Sequence, residues 1–154
     1  MTDAERTERI IEGLTRAYWM EIETVLNYLA NSVHLDGVRA EEIKKALGAD
    51  VQAEIGHAQV LATRIKEIGG PIPGSMQFTP EQSSLQPPDD PTDVVAVIRG
   101  VIEAENGAID HYKSIIADCE GFDYVTQDLC IRLLADEEGH RRQFRGYLTE
   151  YEKS

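Results

Sequence analysis

The sequence has few cysteines, few basic residues and no long apolar run. Two cysteines among 154 residues cannot form a disulfide framework, so we expect a protein of a reducing, cytoplasmic compartment. No apolar run approaches the roughly 20 residues that span a bilayer, and the first twelve residues carry charge instead of the apolar core of a secretory signal. Only 15 Lys and Arg stand against 28 Asp and Glu, a net charge of −13. We therefore expect neither membrane association nor direct nucleic-acid binding.

The chain is long enough to bury a real core, and we expect one domain over residues 1–154. Four long segments place apolar residues at helical spacing. Thr2-Asp3-Ala4-Glu5 forms a capping box before the first segment. We expect Asp90 to cap the third, with Pro91 at its first helical position. The predicted helices run from about Asp3 to His34, Val38 to Ile68, Pro91 to Gly121 and Asp123 to Tyr151.

Connection lengths predict how these helices are arranged. The first and third links are only a few residues long, so each should join an antiparallel hairpin. Residues 71–90 are rich in Pro, Ser, Gln and Asp, and are long enough to cross the bundle. We therefore predict an all-α, up-down four-helix bundle with a long crossover between helices 2 and 3, which run parallel. No internal repeat is evident in the sequence.

Each predicted helix carries a glutamate on its apolar, inward stripe. Two of these glutamates are followed three residues later by a histidine, in Glu54-Ile55-Gly56-His57 and Glu137-Glu138-Gly139-His140. A three-residue spacing puts both side chains of a pair on one helix face. The six candidate ligands are Glu21, Glu54, His57, Glu105, Glu137 and His140.

Buried carboxylates are costly unless they are paired or bound to metal. A single inward glutamate, or a lone Glu-x-x-His, fits a merely structural helical bundle equally well. Together, four carboxylates and two imidazoles can hold two divalent ions, two of the acids bridging them. Such ligands suit iron, and also manganese or zinc.

These residues resemble the ferritin-like superfamily, most closely bacterioferritin and the bacterioferritin-like mini-ferritins. The most specific pieces are Glu21 before Asn27-Tyr28, Glu54-x-x-His57 before Gly69-Gly70, and 123–128 leading into 136–140. The resemblance implies that the first, second and fourth helices supply metal ligands from Glu21, Glu54, His57, Glu137 and His140. For the third helix it offers Glu103 and Glu105, and the helical phase favours Glu105.

The resemblance also implies a function. It predicts a ferroxidase that oxidises Fe(II) with O₂ or H₂O₂ at a two-iron site and stores iron in a protein shell. Haem is not expected, because Ile55 stands where bacterioferritins have the haem methionine. The fourteen residues after His140 are too few for the fifth helix of the 24-subunit cages, so we expect a dimer or a 12-subunit shell.

An alternative keeps the metals and drops storage, as in a dimeric di-iron or di-manganese oxidase or peroxidase resembling rubrerythrin or manganese catalase. Ala108 weakens it, because rubrerythrin has a further acid at that position. DNA-protecting mini-ferritins often have basic tails and bind metal between subunits, patterns absent from this sequence. Direct DNA binding is therefore disfavoured.

Other residues carry weaker signals. A second apolar flank on helix 1, continued by Ile55, predicts a subunit interface in preference to contact with the long connection; its residues are Trp19, Ile22, Leu26 and Val33. Tyr28 faces inward, where its hydroxyl can reach a metal ligand. Cys119 and Cys130 should lie about 10 Å apart along the bundle, so we interpret both as buried apolar residues, with a redox role as the minority alternative.

Overall fold

The computed structural model describes residues 1–153, which form four long helices and contain no strand. The helices are α1 (Asp3–His34), α2 (Glu41–Glu67), α3 (Val94–Cys119) and α4 (Tyr124–Lys153). Short 3₁₀ turns at Val38–Ala40 and Ser75–Gln77 complete the regular structure. None of the described helices combines the length and apolar character needed to cross a bilayer. The predicted all-α four-helix fold is confirmed.

The first helix begins as its sequence predicts, and the third does not. The backbone N–H of Glu5 donates to the Thr2 hydroxyl, and that of Thr2 donates to the Glu5 carboxylate, which completes the capping box. The expectation that Asp90 caps α3 is wrong. Its carboxylate instead accepts from the N–H and hydroxyl of Thr92 in a local turn. The cap is Asp93, which accepts from the N–H of Ala96, and α3 starts at Val94.

Contacts between helices fix their directions. The Tyr28 hydroxyl meets Glu105, and the Tyr112 hydroxyl meets Glu21, so α1 and α3 run antiparallel. Helices α1 and α2 form a hairpin, as do α3 and α4. Helices α2 and α3 are therefore parallel, as predicted, and the crossover, residues 68–93, returns along the bundle to join them.

The crossover is anchored to α1 by buried polar groups. The Glu23 carboxylate accepts hydrogen bonds from the backbone N–H groups of Glu81 and Gln82, at 3.0 and 2.8 Å. Farther along, the Asn31 amide donates to the carbonyl of Leu85 at 3.0 Å, and the Leu85 side chain is buried. Buried acceptors that satisfy loop N–H groups hold a long connection in one path.

A glycine of α3 lets the crossover lie directly on the helix. A Cβ atom added at Gly100 would lie 2.6 Å from the carbonyl oxygen of Ser84, closer than non-bonded atoms approach. Gly100 thus permits the backbone contact that seats the crossover on α3.

The apolar core forms two clusters along the bundle. One includes Tyr28, Leu47 and Phe144, and the other includes Leu14 and Leu61. The inward glutamates lie between them at mid-bundle, where all four helices contribute side chains.

Candidate metal centre

Four glutamates, one from each helix, converge at mid-bundle; we call Glu21, Glu54, Glu105 and Glu137 the four central glutamates. Their exposed fractions are only 1–3%. Each occupies the inward position of an otherwise apolar stripe, so helix formation itself carries the carboxylates into the core. In water-poor surroundings these groups need a compensating partner.

Two histidines complete the cluster through their Nδ1 atoms. The Nδ1 of His57 lies 3.0 Å from a carboxylate oxygen of Glu137 and 3.5 Å from one of Glu54. The Nδ1 of His140 lies 3.4 Å from Glu54 and 3.9 Å from Glu105. Each histidine reaches the cluster because it follows a central glutamate by one helical turn.

The six side chains divide into two overlapping groups of four. Within each group one ligand atom per residue lies within 4.8 Å of the others. Glu54 and Glu137 belong to both groups. The first group adds Glu21 and His57, and the second adds Glu105 and His140. Two cation positions that share two carboxylates are the arrangement that a bridged pair of ions requires.

Several atoms of this cluster make no well-formed hydrogen bond although they are buried and close together. They are Glu54 Oε1, Glu105 Oε2, Glu137 Oε1, His57 Nδ1 and His140 Nδ1. Nearly all buried polar atoms in proteins have partners. Orphaned oxygen and nitrogen atoms aimed at one another therefore fit ions held between them.

The carboxylates raise the pKa of both histidines. Burial alone would lower the pKa of His57, but contacts with Glu137 and Glu54 outweigh it and raise the value to about 11. The same two carboxylates raise the pKa of His140 to about 10, against the opposing effect of burial. Without metal, both side chains are therefore positively charged imidazolium groups at neutral pH.

The pKa values of two central glutamates, Glu105 and Glu137, shift in opposite directions. Burial, and then the neighbouring Glu137, raise the pKa of Glu105 well above its usual value. For Glu137 burial acts in the same direction, but its close contacts with Glu105, His140 and His57 lower its pKa overall. The metal-free cluster thus holds protons in the places where cations would neutralise it.

Outside the cluster, each histidine faces an aspartate through its other ring nitrogen. His57 Nε2 lies 3.0 Å from Asp136, and His140 Nε2 lies 3.9 Å from Asp50. For His57, a hydrogen bond from Nε2 to the Asp136 carboxylate favours the tautomer that leaves Nδ1 free to bind metal. Neither role was predicted from the sequence. Asp136 directly precedes Glu137, and Asp50 lies one turn before Glu54, which is the signal that could have found them.

Two buried tyrosines hold the non-shared glutamates. The Tyr28 hydroxyl donates to Glu105 at 2.8 Å, and the Tyr112 hydroxyl donates to Glu21 at 2.6 Å. The prediction that Tyr28 faces inward is confirmed, and the equivalent role of Tyr112 was missed. Each tyrosine follows the glutamate of its own helix by seven residues and bonds the glutamate of the other helix.

The two tyrosine–glutamate hydrogen bonds, each running from one hairpin to the other, show an internal two-fold relation between the hairpins. Glu54 follows Glu21 by 33 residues, and Glu137 follows Glu105 by 32. Each hairpin supplies one glutamate, one tyrosine and one Glu-x-x-His. The relation is hidden in the sequence because the surrounding residues differ.

The remaining acids and thiols lie outside the cluster. Glu103 is exposed, and Glu23 binds the crossover. Cys119 and Cys130 are free and buried, as expected. Burial raises their pKa values to about 11 and about 12, which keeps both thiols protonated.

Comparison with known proteins places this geometry in a family. The family model for the ferritin-like domain matches residues 11–154. The chain belongs to the ferritin-like family. It is 28% identical over 145 residues to a DNA protection during starvation protein of Pyrococcus furiosus, covering 92% of this chain and 78% of the relative. It is 26% identical over 149 residues to bacterioferritin of Desulfovibrio desulfuricans, covering 96% and 75%.

Solved structures of this family have the same fold. A dodecameric thioferritin, a bacterioferritin-related protein of Bacteroides fragilis, superposes with a TM-score of 0.81 at 25% identity, covering 96% of this chain and 88% of that one. The predicted resemblance to bacterioferritin and the mini-ferritins is confirmed.

Proposed function

We propose that this protein is a di-iron ferroxidase that oxidises Fe(II) with O₂ or H₂O₂ for iron storage and detoxification. One observation carries the proposal: two ligand groups share Glu54 and Glu137 and contain buried atoms without hydrogen bonds. This donor set fits two iron ions, each with one imidazole and several carboxylate oxygens.

The bound irons would supply two electrons, one from each Fe(II). With two protons, these reduce O₂ to H₂O₂ or H₂O₂ to two waters. The protein's own residues set the conditions for this exchange. Asp136 orients the His57 imidazole at 3.0 Å, and Asp50 places a negative charge 3.9 Å from Nε2 of His140. Tyr28 and Tyr112 hold Glu105 and Glu21 at fixed positions through their hydroxyls. Rigid donors of this kind hold ligands at a set separation.

Carboxylate and imidazole donors also accept manganese and zinc, so the ligand set alone does not select iron. The second candidate function is a dimeric oxidase or peroxidase without storage. Ala108 counts against the rubrerythrin-like form of it, since this alanine borders a small cavity beside Glu21 and Glu105 and supplies no further oxygen ligand.

We further propose that the chain forms a homo-oligomer, built from dimers and extending to a shell of 12 subunits. The Bacteroides relative is described as dodecameric. Exposed apolar side chains on α1 support a contact with a second copy: Leu26, Leu29 and Val33 are 54%, 52% and 74% exposed. Trp19, which belongs to the same predicted flank, instead contacts the crossover: its ring centroid lies 5.0 Å from that of Phe78. Solution mass distinguishes a storage shell from a dimeric oxidase.

Fe(II) oxidation followed by ferric absorbance tests the proposed site. Glu54→Ala and His140→Ala should each lose most of the rate, because both remove a ligand. Glu138→Ala, an exposed neighbour on α4, is the matched control and should oxidise iron like the wild type. Wild-type rates in both site variants would refute the assigned ligands.

A further inference from the structure

Two cavities lie one behind the other between α1 and α3, on one side of the metal centre. The inner cavity has a volume of about 10 Å³ and is bordered by the four central glutamates but by neither histidine. That is about the space of one water-sized sphere. The outer cavity, of about 210 Å³, opens to solvent. The cavities thus approach the centre from its carboxylate side.

Three side chains border both cavities and form the partition between them: Met20, Gln82 and Ala104. Gln82 is fixed, because its amide donates to the Thr24 hydroxyl at 2.9 Å and accepts from Asn27 at 2.8 Å. Ala104 is small. Met20 is an unbranched thioether, and side chains of this type change rotamer readily. Met20 is therefore the part of the partition that can move aside.

The outer cavity carries negative charge. Three carboxylates border it, those of Glu23, Glu81 and Glu103, against a single cation, Arg16. Arg16 pairs with Glu81 at 3.4 Å. A surplus of two negative charges in a recess attracts cations and raises their local concentration.

The inner cavity ends at oxygen atoms that lack partners. Glu54, Glu105 and Glu137 border it, and each has a buried carboxylate oxygen without a hydrogen bond. These residues are only 1–2% exposed. A cation that passes Met20 would therefore meet unsatisfied ligands at once.

We propose that divalent cations reach the centre through these two cavities, here called the access passage. Met20 is the side chain that moves to open it, and Gln82 is the part of the partition that stays in place. The inference rests on the proposed function, because it assumes that the centre binds Fe(II). The opposite side of the bundle is the competing route. There the side chains of His57 and His140 are 10% and 18% exposed.

Stopped-flow binding of Co(II), followed by its visible absorbance, tests the route without any oxidation. Met20→Trp should slow Co(II) association by about tenfold or more, because the inner cavity that Met20 borders is no larger than one water and a bulkier side chain would close it. The amount bound at equilibrium should stay at two ions per chain. Val125→Trp, on an exposed part of α4 twelve residues before Glu137, is the matched control and should bind at the wild-type rate.

A charge variant tests the passage without changing the core. Glu81→Gln with Glu103→Gln should slow Co(II) association by about tenfold at low salt and weaken its salt dependence. Wild-type association rates in both this variant and Met20→Trp would overturn the passage and favour the histidine side. If the wild type itself binds no Co(II), the proposed function fails, which is a different result from failure of the route.

Discussion

Replacing Glu54 by glutamine should remove a charged ligand from both proposed cation positions at once, whereas Glu21→Gln should affect only one. Glu54 belongs to both ligand groups and Glu21 to the first alone. A neutral amide oxygen is a much weaker ligand for a divalent ion than a carboxylate. The two variants should therefore differ in how strongly metal stabilises the folded chain.

The expected size follows from mass action. An ion present at 100 times its dissociation constant stabilises the folded state by about 2.7 kcal/mol, so two ions contribute about 5 kcal/mol. In a chain of this length 1 kcal/mol shifts Tm by about 2–4 °C. Zn(II) should therefore raise the Tm of the wild type by about 10–20 °C. We expect about half of that increase in Glu21→Gln and almost none in Glu54→Gln.

Thermal unfolding in EDTA and in excess Zn(II), followed by circular dichroism, measures the increase for each variant. Glu138→Gln is the matched control, since Glu138 is exposed beside Glu137 and should show the full wild-type shift. A full shift in Glu54→Gln would refute the shared ligand. Equal losses in Glu54→Gln and Glu21→Gln would show that the two positions cannot fill separately.

Proton release on metal binding, the contact at Gly100 and the Glu23 anchor can each be tested separately. At pH 7, binding two Co(II) ions should release at least about two protons, because His57 and His140 have pKa values of about 11 and about 10 without metal. Calorimetry in buffers of different ionisation enthalpy counts the protons released. Release of fewer than one proton would contradict the assignment of these histidines as ligands. Affinity should accordingly rise with pH. Gly100→Ala should be about 2 kcal/mol less stable than Gly146→Ala in urea unfolding, because only the first clashes with the crossover; equal stabilities would contradict that contact. Glu23→Gln should make the two crossover amides that bond to it exchange hydrogen roughly tenfold faster, and unchanged exchange would show that the anchor is unimportant.

Helical phase made much of the candidate centre predictable. An inward glutamate such as Glu105 stands out because the residues around it on the stripe are apolar, and the neighbouring Glu103 points away. The structure places Glu105 at 2% exposure within the cluster and leaves Glu103 exposed. Short-range periodicity decides such positions, and the sequence contains it in full.

Features that depend on the path of the crossover could not be predicted. Asp90 and Asp93 both fit a helix cap, and only tertiary contact selects the second. The carbonyl of Pro91 accepts from the N–H of Asp36 at 2.8 Å, which holds Pro91 outside the helix. The role of Glu23 likewise depends on loop N–H groups almost 60 residues away along the chain. Local pattern carries no information about such partners.

The crossed tyrosines make each hairpin chemically incomplete. The hydroxyl of Tyr28 finds its acceptor in the second hairpin, and that of Tyr112 finds its acceptor in the first. A hairpin on its own would leave its tyrosine hydroxyl without an acceptor and its glutamate without the tyrosine donor, so the hydrogen bonding of each half is completed only when the other half packs against it. Because each candidate ligand group draws residues from both hairpins, an ion bound at the centre would also link the first half of the chain to the second.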